Sequence, residues 1–165
     1  MKITILSFIL LGIFNEVSCQ IIEGATNSAF FKSGATKPTV FKIANGELVN
    51  MQFKQFAVEV TWVKGTTGQN LINVPEDESW STMQISEFDF EKDGINELIV
   101  GYGDGLSSLE VTIFKKINNE YKVIGEFSGQ EKCELSKNKI IAPYGSQGLY
   151  SEYVLTRGKF VETQL

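Results

Sequence analysis

Histidine is absent from the chain, cysteine occurs twice and proline three times. Without histidine the chain lacks the commonest general base, the usual partner of a nucleophilic Ser or Cys, and the commonest transition-metal ligand. Most hydrolase mechanisms are closed by that one absence. Carboxylate pairs, Lys and Tyr are the groups left for catalysis, and no specific motif marks them. No dense run of Lys or Arg occurs and the formal net charge is −5, which argues against nucleic acid as a partner. Past the first turns of sequence, no apolar run approaches the roughly 18 residues of a membrane helix, so the chain is not read as an integral membrane protein.

What is present begins at the N-terminus. Met1-Lys2 is followed by an apolar stretch from Ile3 to Phe14 and then by Asn15-Glu16-Val17-Ser18-Cys19-Gln20, the three regions of a secretory signal peptide. Residues 1–19 are therefore expected to be removed, leaving a secreted or periplasmic protein that starts near Gln20. Acylation of Cys19, as in bacterial lipoproteins, is the alternative: Ser18 suits it, whereas Glu16 stands where a Leu-like residue is usual. Either route leaves Cys133 without an internal partner, as a core-filling thiol or as a reactive or intermolecular one.

The remaining length suits one domain with a real core. Short runs rich in Val, Ile, Phe, Tyr and Thr recur between turn signals, which predicts an all-β fold. Strands are expected at Thr39 to Ala44, Glu47 to Met51, Phe56 to Val63, Met83 to Phe88, Glu97 to Val100, Ser108 to Lys115, Tyr121 to Phe127, Lys139 to Ala142, Tyr150 to Thr156 and Lys159 to Glu162. Asn45-Gly46, Asn118-Asn119 and Arg157-Gly158 read as hairpin tips. A full propeller would need about 16 strands, so the expected shape is a single domain of antiparallel hairpins: an incomplete propeller-like stack, a sandwich or a small barrel. Residues 20–37, rich in Gly, Ser, Thr and Ala, read as a flexible leader with a poorly placed strand at Ala29 to Lys32, and residues 38–165 as the folded domain.

The most informative stretch runs from Asp89 to Glu97, Asp-Phe-Glu-Lys-Asp-Gly-Ile-Asn-Glu, followed by Leu98-Ile99-Val100-Gly101. Carboxylates at its first, third, fifth and ninth positions suit a hard cation, which takes about six to eight oxygens. Gly94 allows the sharp turn, after which the Ile95 carbonyl can face an ion. The predicted calcium ligands are Asp89, Glu91, Asp93 and Glu97 by side chain and Ile95 by carbonyl. Val100 stands where an EF-hand would place its bidentate Glu. The pattern instead resembles the calcium loop of the FG-GAP and VCBS repeat families of integrin heads and exported bacterial proteins. That resemblance covers Asp89 to Gly101, and it implies a weakly bound calcium ion, Kd on the order of 10⁻⁴ to 10⁻³ M, whose work is structural. Glu91 and Glu97 depart from the shorter Asp or Asn usual in that family.

Two further features bear on recognition. Trp62 and Trp80 are candidates for stacking on sugar, with core packing as the other reading; Gly101 to Gly105 lacks the Lys of a phosphate loop and reads as a β connection. Pro143 to Tyr150 is a loop whose Tyr144, Ser146 and Tyr150 are candidate partner contacts. It resembles the Ser-Gly-x-x-Tyr loop with which periplasmic inhibitors of lysozyme occlude that enzyme, and calcium-loop β domains are similar to immunity proteins against cell-wall hydrolases. The expected function is thus an exported, calcium-binding, non-catalytic β domain that binds a protein or glycan outside the cytoplasm. An inhibitor or immunity protein against a lysozyme-like hydrolase is the alternative, and a carboxylate-based glycan hydrolase the third reading.

Overall fold

A computed structural model describes residues 20–54, 56–75, 80–104, 106–145 and 148–163. The expected signal segment 1–19, with Cys19, and the candidate contact Ser146 lie outside the described residues. The described residues form strands and no helix: β1 (Ile22–Glu23), β2 (Asn27–Lys32), β3 (Thr39–Lys42), β4 (Leu48–Lys54), β5 (Ala57–Lys64), β6 (Thr67–Pro75), β7 (Thr82–Phe88), β8 (Glu97–Gly103), β9 (Leu109–Ile117), β10 (Glu120–Gly129), β11 (Cys133–Ser136), β12 (Lys139–Tyr144), β13 (Leu149–Thr156) and β14 (Lys159–Thr163). The all-β fold expected from the sequence is therefore present.

Three open sheets hold these strands, in the orders β3-β4-β5-β6, β10-β9-β8-β7-β2 and β1-β11-β12-β13-β14. Each is built on a four-stranded antiparallel meander taken in chain order. The middle meander gains β2 beside β7, and the last gains β1, which lies parallel to β11. None closes on itself, which sets the small barrel aside.

Alternation along the strands explains why the sheets stack. In the middle sheet Met83, Ile85, Leu98, Val100 and Phe114 enter a core shared with β3 to β6. Their neighbours Phe88, Ile99, Val111 and Ile113 enter a second core shared with β11 to β14. Successive side chains point to opposite faces of a strand, so a sheet covered on both faces needs apolar residues at consecutive positions. Leu98-Ile99-Val100 is such a run, and all three side chains are buried.

Within the segment expected to be a flexible leader, the strand expected at Ala29 to Lys32 occurs, and residues 21–32 are packed. Ile21 and Ile22 are fully buried, and Asn27 to Lys32 pairs along β7 from Glu87 to Thr82. The pairs Ile21-Ile22 and Phe30-Phe31 in an otherwise small and polar run give a weak signal, but the middle sheet supplies both a backbone edge and a covering face. Three strands lie where none was expected, β1, β6 and β11; β6 is an edge strand whose polar Thr67 to Asn70 has little apolar periodicity.

The three expected hairpin tips all occur. Asn118 and Asn119 have φ of 53° and 63°, and Arg157 and Gly158 of 52° and 76°, the doubly left-handed geometry that matches strand twist in a two-residue turn. The first tip is wider than Asn45-Gly46 alone. Ile43 N donates to Glu47 O at 3.0 Å and Gly46 N to Ile43 O at 2.8 Å, so Ala44, Asn45 and Gly46 form a three-residue connection with only Gly46 left-handed. No helix among the described residues is long and apolar enough to cross a membrane.

Candidate functional site

The acidic loop joins β7 to β8, whose last and first residues, Phe88 and Glu97, pair directly. Its anchor is apolar. Phe90 is fully buried in the second core, edge-on to Phe88 at 4.8 Å and to Phe160 at 4.9 Å. The Phe90 carbonyl also accepts from Asn138 N at 3.0 Å. With that pin in place the chain must reverse over the next few residues, and it does so through Lys92 (φ 60°) and Gly94 (φ 85°).

Asp89 organises the turn. One carboxylate oxygen accepts from Asp93 N at 3.1 Å and the other from Gly94 N at 2.9 Å, while Asp93 Oδ1 accepts from Ile95 N at 2.9 Å. Desolvation raises the Asp89 carboxyl, but the backbone donors of Gly94, Asp93 and Lys92 outweigh it and hold the group below its ordinary range. Ile95 exposes its side chain at the loop's outer end.

Glu97 and Glu91 are placed differently. Glu97 is fully buried, and its Oε2 accepts from Phe90 N at 3.1 Å. Its Oε1 is buried without a hydrogen bond, with Lys115 Nζ standing 3.4 Å away. Burial pushes the Glu97 carboxyl up, against the lowering effect of Phe90 N–H and Lys115. Glu91, on the rim, pairs with the same Lys115 ammonium, which that contact raises above its usual value.

The predicted ligand set is thus brought into one loop but divided in two: Asp89 and Asp93 hold backbone N–H groups, whereas Glu91 and Glu97 face an ammonium. Among the described residues no three or more Asp, Glu, Cys or His side chains are gathered as a ready metal cage. The donor chemistry still fits a hard cation. A carboxylate oxygen that accepts one hydrogen bond keeps a lone pair, and Glu97 offers an oxygen with no hydrogen bond at all. Lys115 was missed by sequence reasoning because it lies on β9; only the pairing of Leu98 with Phe114 brings it beside Glu97.

The candidate partner contacts flank the β12–β13 turn. Tyr144 pairs with Leu149 and Pro143 with Tyr150, so the two tyrosines leave opposite faces of the hairpin. Both tyrosines are 46% exposed and Leu149 is 50% exposed. The tryptophans are core instead: Trp62 and Trp80 are 4% and 8% exposed, which leaves no open face for a sugar.

A second polar cluster lies at the loop end of the first core. Glu47 accepts from Trp62 Nε1 at 2.9 Å and from Lys116 Nζ, and pairs with Lys64 at 3.2 Å. A groove of about 590 Å³ beside Trp62 and Lys64 is rimmed by Asn118, Asn119 and Glu120. A smaller cavity of about 320 Å³ lies between Asn45, Glu87, Lys116 and Tyr121 and the Gly94 to Asn96 end of the acidic loop. Glu87 there is committed to structure, accepting from Ala44 N with both oxygens at 3.0 and 2.9 Å.

Comparison with protein-family models, with curated proteins and with solved structures found no match to this chain.

Proposed function

We propose that this chain is an exported, calcium-stabilised β domain that acts by recognising another macromolecule and not by catalysis. The observation that carries the calcium reading is the Glu97 oxygen, buried at the base of a loop of carboxylates with no hydrogen bond and only a 3.4 Å ion pair to Lys115. Burying a charged oxygen that is not fully paired is costly, and a divalent cation shared with Asp89, Glu91 and Asp93 would remove the cost. Such an ion would draw together carboxylates on both sides of the turn between β7 and β8 and so strengthen the middle sheet. The non-catalytic reading is supported by Glu47 and Glu87, two carboxylates at or beside the cavities that are held by structural donors, while Glu120 on the groove rim pairs with Lys122. Recognition is supported by Tyr144, Leu149 and Tyr150, which expose aromatic and apolar surface at one hairpin.

The test of the calcium reading is thermal melting of the chain from residue 20 onward in calcium chloride and in EDTA. Calcium raises the melting temperature of the native chain and leaves Asp93→Ala unchanged; identical melts with and without calcium sink the reading. The exposed Tyr150 also favours a narrower version, in which the hairpin enters the cleft of a lysozyme-like hydrolase. That version predicts slower lysis by some lysozyme in a panel and relief of the inhibition by Tyr150→Ala. A panel without inhibition leaves only the broader function.

A further inference from the structure

We infer that Lys115 is a built-in cation that holds the acidic loop together without metal and competes with calcium for Glu91 and Glu97. The inference rests on the calcium reading and specifies how that site is regulated.

The geometry begins with strand register. Leu98 pairs with Phe114, and one step outward the antiparallel ladder sets Glu97 beside Lys115, the position from which cross-strand side chains meet. The ammonium lies 3.4 Å from the buried Glu97 oxygen and also pairs with Glu91. Lys115 is 22% exposed and Glu91 34%, against 0% for Glu97. The lysine therefore spans from the buried end of the site to its rim.

Two of the four predicted carboxylate ligands are thus occupied by one positive charge. The loop's own basic residue, Lys92, has its ammonium 5.2 Å from the centre of the Phe88 ring and acts on Asp89. A calcium ion that took Glu91 and Glu97 would have to displace the Lys115 ammonium, since a cation of like sign a few ångströms away is strongly repelled at reduced dielectric. Lysine suits this exchange: its four-carbon stem is flexible and its head is well hydrated, and the partly open rim gives it a route to water. The apparent calcium affinity then reports the difference between two cations at the same carboxylates. The loop keeps its shape in either state, because the Asp89 bonds to Asp93 N and Gly94 N do not involve Lys115.

The test uses calorimetric titration of the chain from residue 20 onward with calcium chloride, with melts in EDTA as a second readout. Lys115→Met binds calcium at least about tenfold tighter than the native chain, as loss of a like charge beside the ion requires. It also melts lower than native in EDTA, because Glu97 has lost the ammonium it faces, and calcium restores it. Lys115→Arg keeps the charge and shows no such gain. If Lys115→Met does not fold in EDTA, Lys115→Met combined with Glu97→Gln removes both charges, folds without metal and loses the gain in affinity. Native and Lys115→Met chains of equal affinity overturn the inference while leaving the calcium reading intact. No binding by either chain overturns both.

Discussion

Glu47 accepts from Lys116 at 2.7 and 2.5 Å, and the same ammonium stands 4.6 Å from the centre of the Trp62 ring. Burial raises the Glu47 carboxyl, but hydrogen bonds from Lys116, Trp62, Lys64 and Asn45 overcome it and take the group from 4.5 to about 2. A carboxyl depressed by folding contributes stability above its unfolded pKa and loses it as pH falls through its folded one. The contribution is therefore present above about 4.5 and fades toward about 2. Urea melts of native and Glu47→Gln chains should differ clearly at pH 6 and converge near pH 2. A difference that stays constant over that range would show that the charge on Glu47 contributes nothing.

Gln84 ties the N-terminal strand into the stack. Its carbonyl oxygen accepts from Ile21 N at 3.0 Å and Ile22 N at 2.9 Å, and its amide donates to Ile22 O at 3.0 Å. All of this lies beneath fully buried side chains, where a lost partner leaves a donor unsatisfied at about 1 to 3 kcal/mol. Gln84→Ala should lower unfolding stability by roughly 2 to 4 kcal/mol and accelerate amide exchange at Ile21 and Ile22 more than at Ile99. Equal acceleration at all three would mean that the substitution weakens the whole domain and that Gln84 is no specific tether.

What was legible in the chain follows from the range of the interaction that reports it. The alternation of Val58, Val60 and Trp62 and the Val, Thr, Ile and Phe run from Val111 to Phe114 are local, and these strands lie where the pattern places them. Asn118-Asn119 carries its turn geometry in its own backbone preference. Residues 20–37 read as a leader, apart from the strand at Ala29 to Lys32, because the order of Ile21 and Ile22 and of Asn27 to Lys32 comes from elsewhere, from Gln84 and the free edge of β7. The acidic loop is legible as a cluster of ligands, but its division between backbone N–H groups and Lys115 is not. The lysine is 18 residues beyond Glu97 in the chain and meets it only through sheet register.

Cys133 packs in the second core with no exposed surface, and burial pushes its thiol up to about 12. The thiolate is the reactive species, so the native chain should not react with DTNB over minutes at pH 8 and should react at once in urea. Prompt native labelling would contradict this packing and reopen the reactive-thiol alternative.

Gly103 and Gly34 separate two reasons for glycine. A methyl group on Gly103 would collide with the backbone carbonyl oxygen of Ser108, and that carbonyl cannot swing aside. It already accepts from Asp104 N at 3.2 Å, while the Asp104 carboxylate accepts from Leu106, Ser107 and Ser108 N at 2.8, 2.7 and 2.9 Å. The connection from β8 to β9 is thus fixed from both ends. Gly34 has open space around it and needs glycine only for its φ of 78°. Gly103→Ala should therefore cost roughly 2 to 3 kcal/mol through forced backbone shifts, whereas Gly34→Ala should cost about 1 to 2 kcal/mol for the left-handed conformation alone. Urea melts of the two variants give the ranking. A Gly103→Ala chain as stable as the native one would mean that β8 and β9 separate at this end, and that the Asp104 cap does not hold the turn against them.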